Sequence, residues 1–88
     1  MTNYRMPEGV LRAELDGDEV LLNPETGVYH LLNPPGKRLV EAFDSGATLE
    51  QAVDALAHDS GADAERVRGD SKSFVRNMVD RGLLEEAS

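Results

Sequence analysis

The chain has no cysteine and no tryptophan, and only two tyrosines, two phenylalanines and two histidines among 88 residues. Without cysteine there is no disulfide, no thiolate nucleophile and no cysteine metal site. His30 and His58 lie in different elements with no H-x-x-x-H spacing, so no local set of three or four converging zinc ligands exists. His30 then reads as a strand histidine at a surface or interface rather than as a metal ligand or general base. The serines have no partner base. The glycines fall at element ends and form neither a G-x-G-x-x-G nor a Walker pattern. "DGDE" (16–19) begins like a calcium loop but lacks the later ligands and the closing glutamate, so it reads as a hairpin turn. No apolar run approaches the length of a membrane span, and residues 1–5 lack a basic segment followed by an apolar one. The expectation is a non-catalytic, cofactor-free, soluble cytoplasmic protein.

What is present is one small core and an uneven charge. A chain of this size buries about 60–65% of its unfolded surface, enough for a single modest core. The net charge of −8 argues against a general affinity for nucleic acid, where phosphate neutralisation supplies most of the binding. Residues 63–82 are the exception, with Arg66, Arg68, Lys72, Arg76 and Arg81 against Asp63, Glu65, Asp70 and Asp80.

Residues 1–9 read as an irregular arm broken by Met6-Pro7-Glu8-Gly9, and the domain proper as 10–86. "VLRAEL" (10–15), "EVLLN" (19–23) and "VYHLLN" (28–33) read as three strands joined by the turns "DGD" and "PETG". The period then lengthens. Pro34 and Pro35 suit a first helical turn, with Leu39, Val40 and Phe43 at helical spacing and Gly46 as a stop. Thr48 and Gln51 form a capping box ahead of Leu49, Val53 and Leu56. Asp63 caps a third helix carrying Val67, Ser71, Phe74, Val75, Met78 and Val79, and Leu83-Leu84 fold back after Gly82. Segregated strands and helices make this α+β: a winged helix-turn-helix-like, three-stranded antiparallel meander followed by three helices.

Three strands cannot close their own edge. The third strand is nevertheless apolar at nearly every position, which predicts that helices cover one face while its other surface, or the edge, meets something outside the chain. Arg68, Lys72 and Arg76 recur at i, i+4, i+8 on the third helix beside Val67, Ser71, Phe74, Val75 and Met78. They read either as a solvated face or as one flank of an apolar, basic groove. A DNA-reading winged helix would need a basic surface overall, which this chain lacks.

"DGDEVLLNPETGVYHLLNPPGKRLVEAFDSGATLEQAVDAL" followed by "VRGDSKSFVRNMVDRGLLE" resembles the PqqD-like proteins, the precursor-peptide recognition elements of ribosomal peptide natural-product pathways. The likeness spans roughly residues 10–86. It rests on "VLLN", the "TGVYHLLN" block, the "ATLEQAVDAL" helix and the closing "F…MVDRGLL" in that order and spacing. It implies a leader peptide that adds as a strand to the third β-strand and lies beside the third helix. By position, the strand is Val28, Tyr29, His30, Leu31 and Leu32. The helix contacts are Val67, Asp70, Ser71, Phe74, Val75 and Met78, with Arg68 and Lys72 from the cationic row. Within the family, the chain looks most like the stand-alone proteins of lasso-peptide systems. These present a leader to a transglutaminase-like cysteine protease before a cyclase closes the ring. The alternatives are a pyrroloquinoline quinone pathway member escorting its precursor to a radical enzyme and, in another class, a small DNA-binding regulator. A monomer is expected, although an open edge could also pair two copies.

Overall fold

Asp16 and Gly17 take φ of 53° and 86°, the pair of left-handed residues that a two-residue hairpin requires. They join a strand over Leu11–Leu15 (β2) to one over Asp18–Asn23 (β3), with Leu15 opposite Asp18 and Leu11 opposite Leu22. The Pro24–Gly27 turn leads into Val28–Leu31 (β4), which pairs antiparallel with β3. The sheet order is β2-β3-β4, as the turn chemistry predicts. These are the features of a computed structural model, which describes residues 2–87.

Three helices follow. Asn33 ends the meander and caps the first, Pro34–Asp44 (α1): its side-chain oxygen accepts from Gly36 N at 2.8 Å and its carbonyl from Lys37 N at 2.9 Å. The prolines occupy the first turn, where a missing N–H costs nothing. The second, Leu49–Ser60 (α2), starts with the expected capping box, Gln51 N donating to Thr48 Oγ1 and Thr48 N to Gln51 Oε1. The third, Ala64–Asp80 (α3), is capped by Asp63.

Leu39, Val40, Phe43, Leu49, Val53, Leu56, Val67, Val75 and Met78 converge between the helices, and Leu83 and Leu84 close the core from below. The sheet contributes Leu21 from its inner face. Arg12, on that same face, reaches Glu19, Asp44 and Glu41, and Lys37 also meets Glu19, so ion pairs tie the sheet to α1. The fold is α+β and winged helix-turn-helix-like, as expected.

The arm is corrected. Asn3–Arg5 form a strand (β1) paired antiparallel with Glu85–Ala87 (β5), and Leu49 N donates to Thr2 O. Tyr4 then lies 5.5 Å from the Phe43 ring. Pro7 and Gly9 do break the chain, but only after a segment that Tyr4 and Met6 fix to the core. Met1, the first residue of that arm, lies outside the described residues.

Candidate functional site

The hydrogen-bonding direction of β4 follows from the hairpins. A two-residue turn makes Leu15 and Asp18 a hydrogen-bonded pair, so residues 18, 20 and 22 of β3 turn their backbone groups to β2. Residues 19, 21 and 23 turn theirs to β4, as the bond from Leu32 N to Glu19 O at 2.8 Å shows. On β4, therefore, Val28 and His30 are bonded inward, while Tyr29 and Leu31 direct N–H and C=O to the free edge. Beyond Leu31 the edge ends, because the Asn33 carbonyl belongs to α1. The usable edge is two residues long.

Side chains alternate the other way. Tyr29 (54% exposed) and Leu31 (53%) stand on the outer face, in register with Leu22 and Val20 and, through them, with Leu11 and Ala13. Val20 is buried there without belonging to the helical core. Val28 and His30 face inward. This answers the apolar character of the strand: the inner face meets the core, and the outer face shares a small apolar cluster that remains half open to water.

His30 lies edge-on to Phe74, with ring centroids 6.0 Å apart. Its Nδ1 is 2.9 Å from Arg81 Nη1. A guanidinium only donates, so Nδ1 is the acceptor and carries no proton. Burial, and then the charge of Arg81, hold the His30 pKa below the usual histidine value. The second arm of Arg81 donates from Nη2 to the Tyr29 carbonyl at 2.7 Å.

Beyond Phe74 a cavity of about 540 Å³ opens between the start of α1, the end of α2 and the first half of α3. Its wall is mostly carbon, from Leu39, Leu56, Val67 and Phe74, with Asp63, Arg66 and Asp70 at the rim. Gly36 makes the close approach possible: a Cβ there would stand 3.0 Å from Phe74 Cε1. Phe74 thus stands between β4 and the cavity, against the His30 ring on one side and in the cavity wall on the other.

Helix α3 sorts its residues into three rows, since neighbours in sequence differ by about 100° around the axis. Val67, Ser71, Val75 and Met78 are buried toward the other helices. Ser71 (2% exposed) and Val67 also reach the cavity wall, whereas Met78 (0%) and Val75 do not. Arg66, Asp70 and Phe74, one position earlier, face the cavity. Arg68, Lys72 and Arg76, one position later, face away. Arg68 pairs with Glu50 at 3.3 Å, and Lys72 and Arg76 line a separate groove shared with Tyr4, Val79 and Glu86. The expectation that this cationic row flanks the β4 groove is corrected. A 100° rotation places it on the β1–β5 side. Leu32 packs inward against the core just past the edge. Sequence reasoning missed Gly36, Asn33 and Arg81. The last follows Phe74 by seven residues, the one spacing that could have revealed it on the same side of α3.

Among the described residues no group of three or more His, Cys, Asp or Glu could hold a metal, and no helix is long and apolar enough to cross a membrane. The family described as "Coenzyme PQQ synthesis protein D (PqqD)" matches residues 19–84. No curated protein matches significantly. Two solved structures are similar over nearly their whole length. One, TbiB1 in complex with the TbiA(beta) leader peptide, is 30% identical, with a TM-score of 0.83 over 96% of this chain and 98% of that one. The other, lasso peptide synthetase B1 complexed with the leader peptide, is 19% identical, with a TM-score of 0.86 over 94% and 98%, and speaks to the fold alone.

Proposed function

Because the chain belongs to the PqqD family, we propose that it is a non-catalytic recognition protein that binds the leader segment of a ribosomally made precursor peptide. The leader adds as a strand to the free edge of β4 and anchors a side chain in the neighbouring cavity. The observation that carries this reading is the place of Phe74, which packs on His30 of β4 and lines the cavity beside it. The likeness to TbiB1, which was solved in complex with a leader peptide, supports leader binding, and the resemblance to the stand-alone lasso-peptide proteins favours that pathway over an escort role in cofactor synthesis. In that pathway the protein delivers the leader to a cysteine protease, and a cyclase then acts on the product.

Magnitudes show why both parts are needed. Backbone bonds at about 0.5–1.5 kcal/mol each give at most a few kcal/mol from so short an edge. Micromolar binding requires about 8 kcal/mol net. Burying about 150 Å² of apolar anchor adds roughly 4 kcal/mol at 25 cal/mol per Å². The cavity thus adds a gross contribution comparable with that of the whole edge, before the cost of association is met.

Amide exchange tests the reading with a synthetic candidate leader peptide. Leu31 gains protection, whereas His30, already bonded to β3, changes little. Protection confined to β1 and β5, or to residues 11–15, would place the peptide elsewhere. A mobility shift with duplex DNA at low salt separates the regulator class: the acidic surface predicts no shift.

A further inference from the structure

The free edge of β4 is not wholly free. Of the four backbone groups on Tyr29 and Leu31, the Tyr29 carbonyl is already taken by Arg81 Nη2 at 2.7 Å. The same guanidinium is fixed at its other arm by His30 Nδ1, and its backbone N–H donates to Asn77 O at 3.1 Å at the end of α3. Two acceptors from consecutive residues of β4 match the planar fork of arginine, which a lysine would not reproduce. Arg81, Asp80 and residues 27–31 together line the open groove at this end of the strand.

We propose that Arg81 is the stop that ends strand addition at Tyr29 and so fixes the register in which a leader pairs, a role that rests on the leader-binding reading above. An incoming strand finds Leu31 N–H and Leu31 C=O available, with Tyr29 N–H lying beyond the capped carbonyl. To extend further, its next N–H must take the Tyr29 carbonyl from a cation. A charge-assisted hydrogen bond is roughly twice as strong as a neutral one, so the backbone N–H loses that competition. At the opposite end the edge is closed by the Asn33 carbonyl, which receives Lys37 N. A peptide bounded at both ends has one way to lie, and the side chain it sends into the cavity beside Phe74 is set by that register. A bare edge, by contrast, would let the strand slip by two residues without changing which side chains face inward. Arg81 thus supplies specificity where the strand itself is indifferent.

The test compares wild type with Arg81→Met, using the TbiA(beta) leader and, as a second probe, a synthetic candidate leader peptide. Without leader, freeing the carbonyl shifts the Tyr29 carbonyl carbon resonance; no shift means the cap does not exist in solution and overturns the proposal. With leader, Arg81→Met binds about 2–10-fold tighter, the worth of one more backbone bond. One additional leader amide also becomes protected from exchange. Unchanged protection, or weaker binding by a variant that melts near wild type, overturns the proposal and leaves leader binding standing. If Arg81→Met does not fold, His30→Leu removes one anchor of the fork with the arginine retained, and the same extension of protection is expected. Wild type that binds neither leader overturns the leader-binding reading and this role with it, whereas the carbonyl shift reports the cap independently.

Discussion

A methyl group added at Gly36 probes the place of Phe74, on which the proposed function depends. It would stand 3.0 Å from Phe74 Cε1, 3.3 Å from Cζ and 3.0 Å from Asn33 Oδ1. Gly36 sits in α1, where alanine is favoured over glycine by about 0.5–1 kcal/mol. Two costs oppose that gain. Pushing the ring off its rotamer costs about 0.5–1.5 kcal/mol. Crowding the cap oxygen forfeits part of an interaction worth about 1 kcal/mol. The net change in stability is therefore small, from about 0 to 2 kcal/mol of loss, or up to about 15 °C in melting temperature. Binding should suffer more, because the displaced ring narrows the cavity mouth; a tenfold fall in leader affinity corresponds to about 1.4 kcal/mol. A double-mutant cycle isolates the contact. In a Phe74→Leu background the methyl no longer meets an aromatic edge, so Gly36→Ala should cost less there, by more than the roughly 0.3–0.5 kcal/mol scatter of additive sites. Thermal unfolding and calorimetric titration of the four proteins supply both quantities. Strict additivity would show that Phe74 does not lie against α1, and its place between β4 and the cavity would fall with it.

Reversing Lys72 and Arg76 to Glu should leave leader affinity within about twofold at low salt, because both line the groove on the β1–β5 side; a loss of tenfold or more would put the peptide there instead. His30 makes folding stability depend on pH. Its folded pKa is lowered by burial and then by Arg81, with Asp80 in the same groove, so above about 6.5 the ring is neutral in both states and carries no penalty. As pH falls below that value the unfolded chain takes up the proton first, and stability declines until the folded pKa is passed. Denaturant unfolding between pH 8 and 5 should show this decline, and His30→Leu should flatten it. Glu19 acts lower down: the bond from Arg12 holds its pKa below 4.5, so its contribution persists above that value and is lost as pH falls through the folded pKa.

The three strands of the meander, their turns, the helices and their starts were legible because each is a local event. Asp16-Gly17 can satisfy its turn without reference to the rest of the chain, and the Thr48–Gln51 box closes over three residues. Periodicity likewise placed Val67, Ser71, Phe74, Val75, Met78 and Val79 on the apolar side of α3, of which Val67, Ser71, Val75 and Met78 form the buried row. It could not say what stands opposite the neighbouring rows, because a rotation of 100° in either direction looks the same in one dimension. Tertiary structure settled that choice, sending Arg66, Asp70 and Phe74 to the cavity and Lys72 and Arg76 to the far side. The pairing of Asn3–Arg5 with Glu85–Ala87 was invisible for a related reason. Three-residue strands carry almost no periodic signal, and their partners are about 80 positions apart. The bond from Arg81 to the Tyr29 carbonyl spans 52 positions and uses a backbone atom that every residue possesses. No residue type in the sequence marks such an acceptor; only the alternation of the β3–β4 ladder and the end of α3 bring it within reach.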